Sequence, residues 1–339
     1  MSIKLKKLAR QLNCSYSGNG DIMIMGVRDL LEEEPNYLSL CLSKDKKLPE
    51  YLNNKKNKNI ILLSRYNMEG FHCILVSSKN MNEKFQKILS LFEINESIEE
   101  GIGKNIFIGK AFKKGENISI GHNTVIGDNV MIDDNTVIYP NVTIYNDIKI
   151  GKNCVIHSGV IIRSNVEIGN NVVIENNACI GNTGFNRGFG KGKLELTLPL
   201  TGKIIIKDNI FIGANSIIAR NDLSDTIIGS GSKIDALVYI SRGVKIGRYC
   251  RIAGQAAIGD EVEIGDEVSI GPKSGLYDKI KVGHNAFIVS KSGVLKNVKE
   301  GNKVVGSPAT SVEDWKRREI FLRKVIKKWV KVKKWLDEL

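Results

Sequence analysis

An aliphatic residue recurs every six positions at Ile120, Ile126, Ile132, Ile138, Ile144, Ile150, Ile156, Ile162, Ile168, Ile174 and Ile180, and the phase never slips. It extends back through Ile108 to Ile102 with Lys114 off pattern, and it resumes at Ile206, Ile212 and Ile218. A third run goes from Ile228 through Ile234, Ile240, Ile246, Ile252, Ile258, Ile264, Ile270, Leu276, Val282 and Ile288 to Val294. A period of six fits neither an amphipathic helix, at about 3.6, nor a simple strand, at about 2. Each hexad must therefore hold a short strand and a turn. Three hexads close a triangular coil, so 29 hexads give nearly ten coils. The aliphatic side chain is expected to point into the prism, with a small or β-branched residue four positions on. The glycine or asparagine that follows it is expected to take turn geometry that side chains resist.

The period is interrupted twice, by about 20 residues, Asn186 to Ile205, and by four extra residues after the hexad at Ile218. Loops on a rigid scaffold tend to carry function. The longer one is glycine-rich at its start, which suits closure over a substrate, although a tolerated surface insertion is the plainer reading. Residues 1–99 lack the six-fold phase and alternate helical with extended stretches, which indicates a small α/β domain. The repeats fill 100–310. From 311 to 339 an amphipathic helix is expected, opened by the capping-box-like Ser311-Val312-Glu313-Asp314 and carrying Trp315, Phe321, Val325, Ile326, Trp329, Val330 and Leu336 among lysines. Packing across an oligomer, docking of an acidic carrier protein and contact with a membrane surface all fit such a helix.

The start of the chain, MSIKLKKLARQLNCSYSG, has no long apolar run behind its lysines, and no window approaches a membrane span, so a cytoplasmic protein without stable membrane insertion is expected. Six scattered cysteines without a CxxC pair suggest neither a zinc site nor a disulfide framework. The net charge of +13 favours an anionic partner. With 6% aromatics and no basic stretch interleaved with them, that partner is not expected to be nucleic acid.

A small N-terminal domain, a long β-helix and a C-terminal helix, in that order, resemble UDP-3-O-acylglucosamine N-acyltransferases of lipid A biosynthesis. The segments GNGDIMIMGV, NVTIYNDIKIGKNCVIHSG and LSDTIIGSGSKID look like that family's, in that family's order. The resemblance implies a left-handed parallel β-helix, although parallel crossovers ordinarily favour the right hand. It also implies a homotrimer with sites between adjacent prisms, and acyl transfer to a sugar amine. The family's catalytic histidine falls here on Arg242, a second family histidine near Lys279, and an oxyanion-stabilising glycine near Asp260. Its uracil-sandwiching aromatics fall near Leu40 and Lys46. A guanidinium stays protonated and offers only donors, so Arg242 cannot act as the general base.

These departures point to a relative that moves a short, possibly 3-hydroxylated, acyl group from acyl-CoA to a nucleotide-linked amino-deoxysugar. The anthrose-route enzyme that acylates dTDP-4-amino-4,6-dideoxyglucose is one example of this kind. A lipid A enzyme using hydroxyacyl carrier protein and a non-catalytic sugar-nucleotide binder are the alternatives. No metal is called for.

His157 is the remaining base candidate, since histidine titrates near neutrality; His122 and His284 occupy turn positions. Arg242 is expected to bind phosphate, to stabilise an oxyanion or to pair with a carboxylate such as Asp235. Asp260 would orient the amine, or simply fill a turn. Phe185, Asp235 and Lys279 are candidate substrate contacts. The segment from Val304 through Gly306, Ser307, Pro308 and Ala309 looks like the one by which many acetyl-CoA-dependent hexapeptide enzymes touch coenzyme A. Lys316 and Arg317 follow it as cations for the cofactor's phosphates.

Overall fold

A computed structural model describes residues 2–29, 35–41, 61–68, 71–92, 100–184, 201–329 and 333. The chain divides into two compact units, Met1–Ser97 and Ile98–Leu339. In the first, α1 (Leu5–Gln11) and α2 (Met81–Leu91) accompany a five-stranded sheet. Its strands run Ser15–Ser17, His72–Leu75, Ile61–Ser64, Tyr37–Leu40 and Gly26–Val27, the first pair antiparallel and the rest parallel. Leu5, Leu8, Ile24, Leu38, Ile61, Ile74 and Ile88 form its apolar core.

The second unit is a parallel β-helix. Strands of two to five residues stack into sheets of 12, 10 and 9 strands, which make the three faces of the prism. Face 1 begins at Gly101–Ile102, face 2 at Phe107–Ile108 and face 3 at Lys113–Lys114. Pairing is in register from coil to coil, as in Ile120 beside Ile138 and Ile138 beside Ile156. From Ile120 onward the six-fold aliphatic positions are buried in one continuous core. Lys114 takes an inward position in the first coil, which has a partner coil on one side only, and there its ammonium reaches solvent.

The residue four positions after each aliphatic also faces inward, and where it is polar it satisfies a carbonyl, mostly of the next coil. Thr136 Oγ1 donates to Gly151 O at 2.8 Å, and the Cys154 thiol lies 3.1 Å from Gly169 O. Burial pushes the thiol pKa of Cys154 and Cys250 up, as expected of structural rather than reactive thiols.

Of the two residues expected to take the turn geometry, asparagine does so and the glycine directly after the aliphatic, with one exception, does not. The left-handed turn conformation falls three residues after the aliphatic, on Asn123, Asn129, Asn153 and Asn171 and, later in the chain, on Tyr249, Glu261 and Lys279. Asparagine tolerates this conformation best among residues with side chains, and Asn153 Nδ2 donates to Asn171 Oδ1 at 3.2 Å. The glycine directly after the aliphatic is needed for close approach instead: a Cβ on Gly151 would sit 2.6 Å from Gly169 O in the next coil.

The β-helix ends in a hairpin of Lys303–Val305 and Thr310–Ser311, followed by α3 (Val312–Lys327). Ser311 caps α3 by accepting from Asp314 N at 3.0 Å.

Candidate active site at one corner of the prism

Both interruptions leave the prism at the same corner, between faces 2 and 3, in consecutive coils. The first follows Cys179–Thr183 and precedes Ile204–Ile206; the second lies between Ile217–Arg220 and Thr226–Ile228. Directly after them in the stack, the same corner carries Ser241 and Arg242, then Asp260, then Asp278 and Lys279. One coil is 18 residues, so Arg242 and Asp260 stack by construction.

Arg242 is held on all three of its nitrogens. Nε donates to Asp260 Oδ2 at 3.2 Å and Nη2 to the same oxygen at 2.6 Å, while Nη1 lies 3.3 Å from Asp222 Oδ2. Ser241 donates its hydroxyl to the other oxygen, Asp260 Oδ1. The side chains of Arg242, Asp222 and Asp260 are 15%, 14% and 17% exposed, so these charges meet largely out of water. Burial works to raise the Asp260 pKa, but the hydrogen bonds from Arg242 and Ser241 outweigh it and hold the carboxyl below its ordinary 3.8. The hydrogen bond to Asp260 raises the Arg242 pKa further, so the group is a fixed cation. Gly184, at the start of the first interruption, packs on the Arg242 side chain: a Cβ there would meet its Cγ at 2.6 Å and its Nε at 2.9 Å. Beside the pair, face 2 is hollowed by the small residues Ala257 and Gly275 into a groove of about 270 Å³, which Tyr239, Ser241, Gly259 and Asp260 also line.

The other candidates lie elsewhere. Asp235 does not pair with Arg242. It occupies the corner between faces 1 and 2, where its carboxylate accepts from Ala236 N at 2.8 Å and Gly254 N at 3.1 Å. Seven residues are a little over one hexad, which carries the chain to the next corner. His157 is also on the face 1/2 corner, stacked on Tyr139 with ring centroids 4.7 Å apart and with Nε2 3.8 Å from Glu175 Oε1. It lies three coils before Arg242, which at about 4.8 Å per coil is roughly 14 Å along the axis. Lys279 is on the Arg242 corner but 73% exposed, and it points toward Glu261 at 3.8 Å. His122 and His284 cap turns, accepting from Lys104 N and Asp266 N. Phe185 and Lys46 lie outside the described residues.

At the C-terminal hairpin, Gly306 has a φ of 98° and Ala309 N donates to Gly293 O at 2.8 Å. Pro308 follows a cis peptide bond in the same turn. Lys316 and Arg317 are exposed on the first turns of α3, with Arg317 3.6 Å from Asp314. Among the described residues no cluster of side chains suits a metal ion, and no helix is long and apolar enough to cross a membrane.

Comparison with known proteins agrees with this architecture. The family described as bacterial transferase hexapeptide (six repeats) matches residues 131–164, 147–182 and 225–260, and the hexapeptide repeat of succinyl-transferase matches 203–242. The β-helix is thus a hexapeptide-repeat solenoid of the kind found in bacterial transferases. Among curated proteins, the chain is similar to UDP-3-O-acylglucosamine N-acyltransferase of Methylobacterium nodulans. The two are 34% identical over 145 residues, 43% of this chain and 41% of that protein. The protein of the same name from a second Methylobacterium strain is 32% identical over the same lengths. The match therefore spans about two fifths of the length of these relatives. The structure of Arabidopsis UDP-N-acetylglucosamine acyltransferase superposes with a TM-score of 0.54 and 20% identity, covering 61% of this chain and 72% of that one. At that identity the likeness speaks to the fold, the left-handed parallel β-helix.

Proposed function

We propose that the chain is an N-acyltransferase. It moves an acyl group from a thioester to the amino group of a nucleotide-linked amino sugar, with the acceptor amine placed at the Arg242 corner. One observation carries this reading: a desolvated carboxylate, Asp260, fixed by Arg242 and Ser241, borders a groove beneath the corner from which both interruptions leave the prism.

The chemistry follows from what these groups can do. The amine nitrogen attacks the thioester carbonyl carbon, the C–N bond forms, the C–S bond breaks, and the thiolate departs and takes up the proton that the nitrogen loses. Arg242 keeps its proton throughout. Asp260, held ionised, accepts a hydrogen bond from the amine and orients its lone pair toward the carbonyl. Alignment of this kind supplies up to ~7–11 kcal/mol in favourable cases. The absence of a base forgoes typically ~10²- to 10⁴-fold, which an activated thioester and a weakly basic sugar amine can tolerate.

The donor proposed is acyl-CoA, contacting the Gly306–Ala309 turn with Lys316 and Arg317 near its phosphates. The acceptor proposed is a dTDP-4-amino-4,6-dideoxyglucose-like sugar, the acyl group being short and hydroxylated. In the trimer proposed, three-fold symmetry keeps all copies at one height. The three-coil offset of His157 therefore persists across an interface, which argues against its serving the Arg242 site.

Free-thiol release tests the substrates. Hydroxybutyryl-CoA with the dTDP-amino sugar is expected to turn over. Turnover only with UDP-3-O-acylglucosamine and hydroxyacyl carrier protein would replace both proposed substrates, and binding without turnover of either pair would make the protein a non-catalytic binder.

A further inference from the structure

The outward residues of face 1 in its later coils stand in register as Phe211, Lys233, Arg251, Ser269 and Phe287. They line a groove of about 590 Å³ that Asp235 and Gly271 border at the corner. Lys233 and Arg251 are directly opposite each other on neighbouring strands. Like charges so placed destabilise a sheet. Elsewhere on the prism the charged cross-strand pairs alternate in sign. On face 3, Lys149 faces Glu167, and Glu263 stands between Lys245 and Lys281, with the Lys281 ammonium 2.9 Å from Glu263. Lys233 and Arg251 have no carboxylate partner among the described residues, and Asp235 between their turns spends its oxygens on backbone N–H groups. The phenylalanine next to Lys233, Phe211, is partly exposed, whereas Phe287 at the far end already carries Lys303 Nζ 4.6 Å above its ring.

We infer that this groove is a nucleoside diphosphate subsite. The base lies on Phe211 and the two phosphates bridge Lys233 and Arg251, which are about 4.8 Å apart along the stack. A diphosphate turns an uncompensated like-charge pair into two charge-assisted contacts, and the adjacent ring supplies the stacking surface. The subsite lies on the side of the prism opposite the Arg242 corner, so one sugar nucleotide reaches both only across an interface between copies. Lys233 belongs to the same coil as Arg242, and Arg251 to the same coil as Asp260, so the subsite and the acceptor corner lie at one height. Two molecules in the proposed reaction contain this chemistry, the sugar nucleotide and coenzyme A. The inference rests on the transferase reading for its ligand, but it is tested by binding alone.

Titration calorimetry of the full chain with dTDP, UDP, ADP and coenzyme A, each beside the phosphate-free nucleoside, reads it directly. Binding is expected to require the diphosphate and to weaken with salt. Lys233→Ala and Arg251→Ala should each raise Kd about tenfold or more. Their melting temperatures should stay at or above wild type, because a repulsion has been removed. Phe211→Ala should weaken the nucleotides while leaving inorganic pyrophosphate unaffected. Competition decides the source: displacement of dTDP by coenzyme A assigns the subsite to the donor, and tight dTDP or UDP binding indifferent to coenzyme A assigns it to the acceptor. Failure of all four to bind at millimolar concentration, or unchanged affinity in both cation variants, overturns the inference. Diphosphate binding lost in the variants without thiol release from any substrate pair leaves the subsite standing and removes the transferase reading. Thiol release with unchanged KM in both variants does the reverse.

Discussion

Arg242 is the residue on which the site turns, because a cation 15% exposed is balanced by two carboxylates of similar burial. Removing one member of such a set strands the others. Arg242→Ala is expected to cost about 2–3 kcal/mol in urea unfolding, since Asp222 and Asp260 are left facing each other largely desolvated. Arg242→Lys should recover little, because an ammonium lacks the fork that reaches Asp260 twice and Asp222 once.

Asp260 gives the corner a defined pH response. Its carboxyl titrates below 3.8 when folded and at about that value when unfolded, so its stabilising effect is complete above 3.8 and disappears as pH falls through the lower, folded value. The stability gap between wild type and Asp260→Asn, open at neutral pH, should therefore close in acid. A gap that persists well below the folded value would mean that the charge is not what holds the corner. Asp260→Asn should also lower kcat by about tenfold or more, as expected for a hydrogen bond to a charged group that positions the amine.

The elements were legible in the sequence to the extent that period governs them. The six-fold phase identified the inward residues from Ile120 to Val294, because a hexad offers two buried positions, one for the aliphatic and one four residues on for a small or β-branched side chain. The role of the glycines was not legible, because Ile-Gly fits two explanations, a left-handed turn at the glycine or close approach by the next coil, and only the stacked geometry separates them. Two substitutions in one hexad make that distinction measurable. Gly151→Ala should cost about 1–3 kcal/mol as an overpacked contact with Gly169 O. Asn153→Ala should cost about 1–2 kcal/mol for a side chain in the left-handed region at φ 55°. If Gly151→Ala were neutral, close approach would not be the reason for the glycine.

For the molecule as a whole, the same period explains which parts of the site could be read in advance. Residues 242 and 260 are one 18-residue coil apart, so their pairing was available from numbering alone, while Asp235, on another corner, was excluded by the same count. Asp222 was not available, because the second interruption breaks the phase and a residue inside it has no register until the chain is folded. The Lys233–Arg251 pair was also one coil apart, but its significance needed the groove above it.

The proposed acyl transfer has a characteristic pH dependence. With no protein base at the corner, the rate should rise with pH as the free amine fraction of the acceptor rises, and it should level off once the amine is deprotonated. A bell-shaped profile whose acid limb disappears in His157→Ala would instead implicate His157. The most direct test of acyl transfer itself is mass spectrometry of the amino sugar nucleotide after incubation with hydroxybutyryl-CoA and the protein. The expected product is an acceptor heavier by one acyl group in amide linkage, with one thiol released per amide formed. An unmodified acceptor, whether or not the thioester has been hydrolysed, would contradict it.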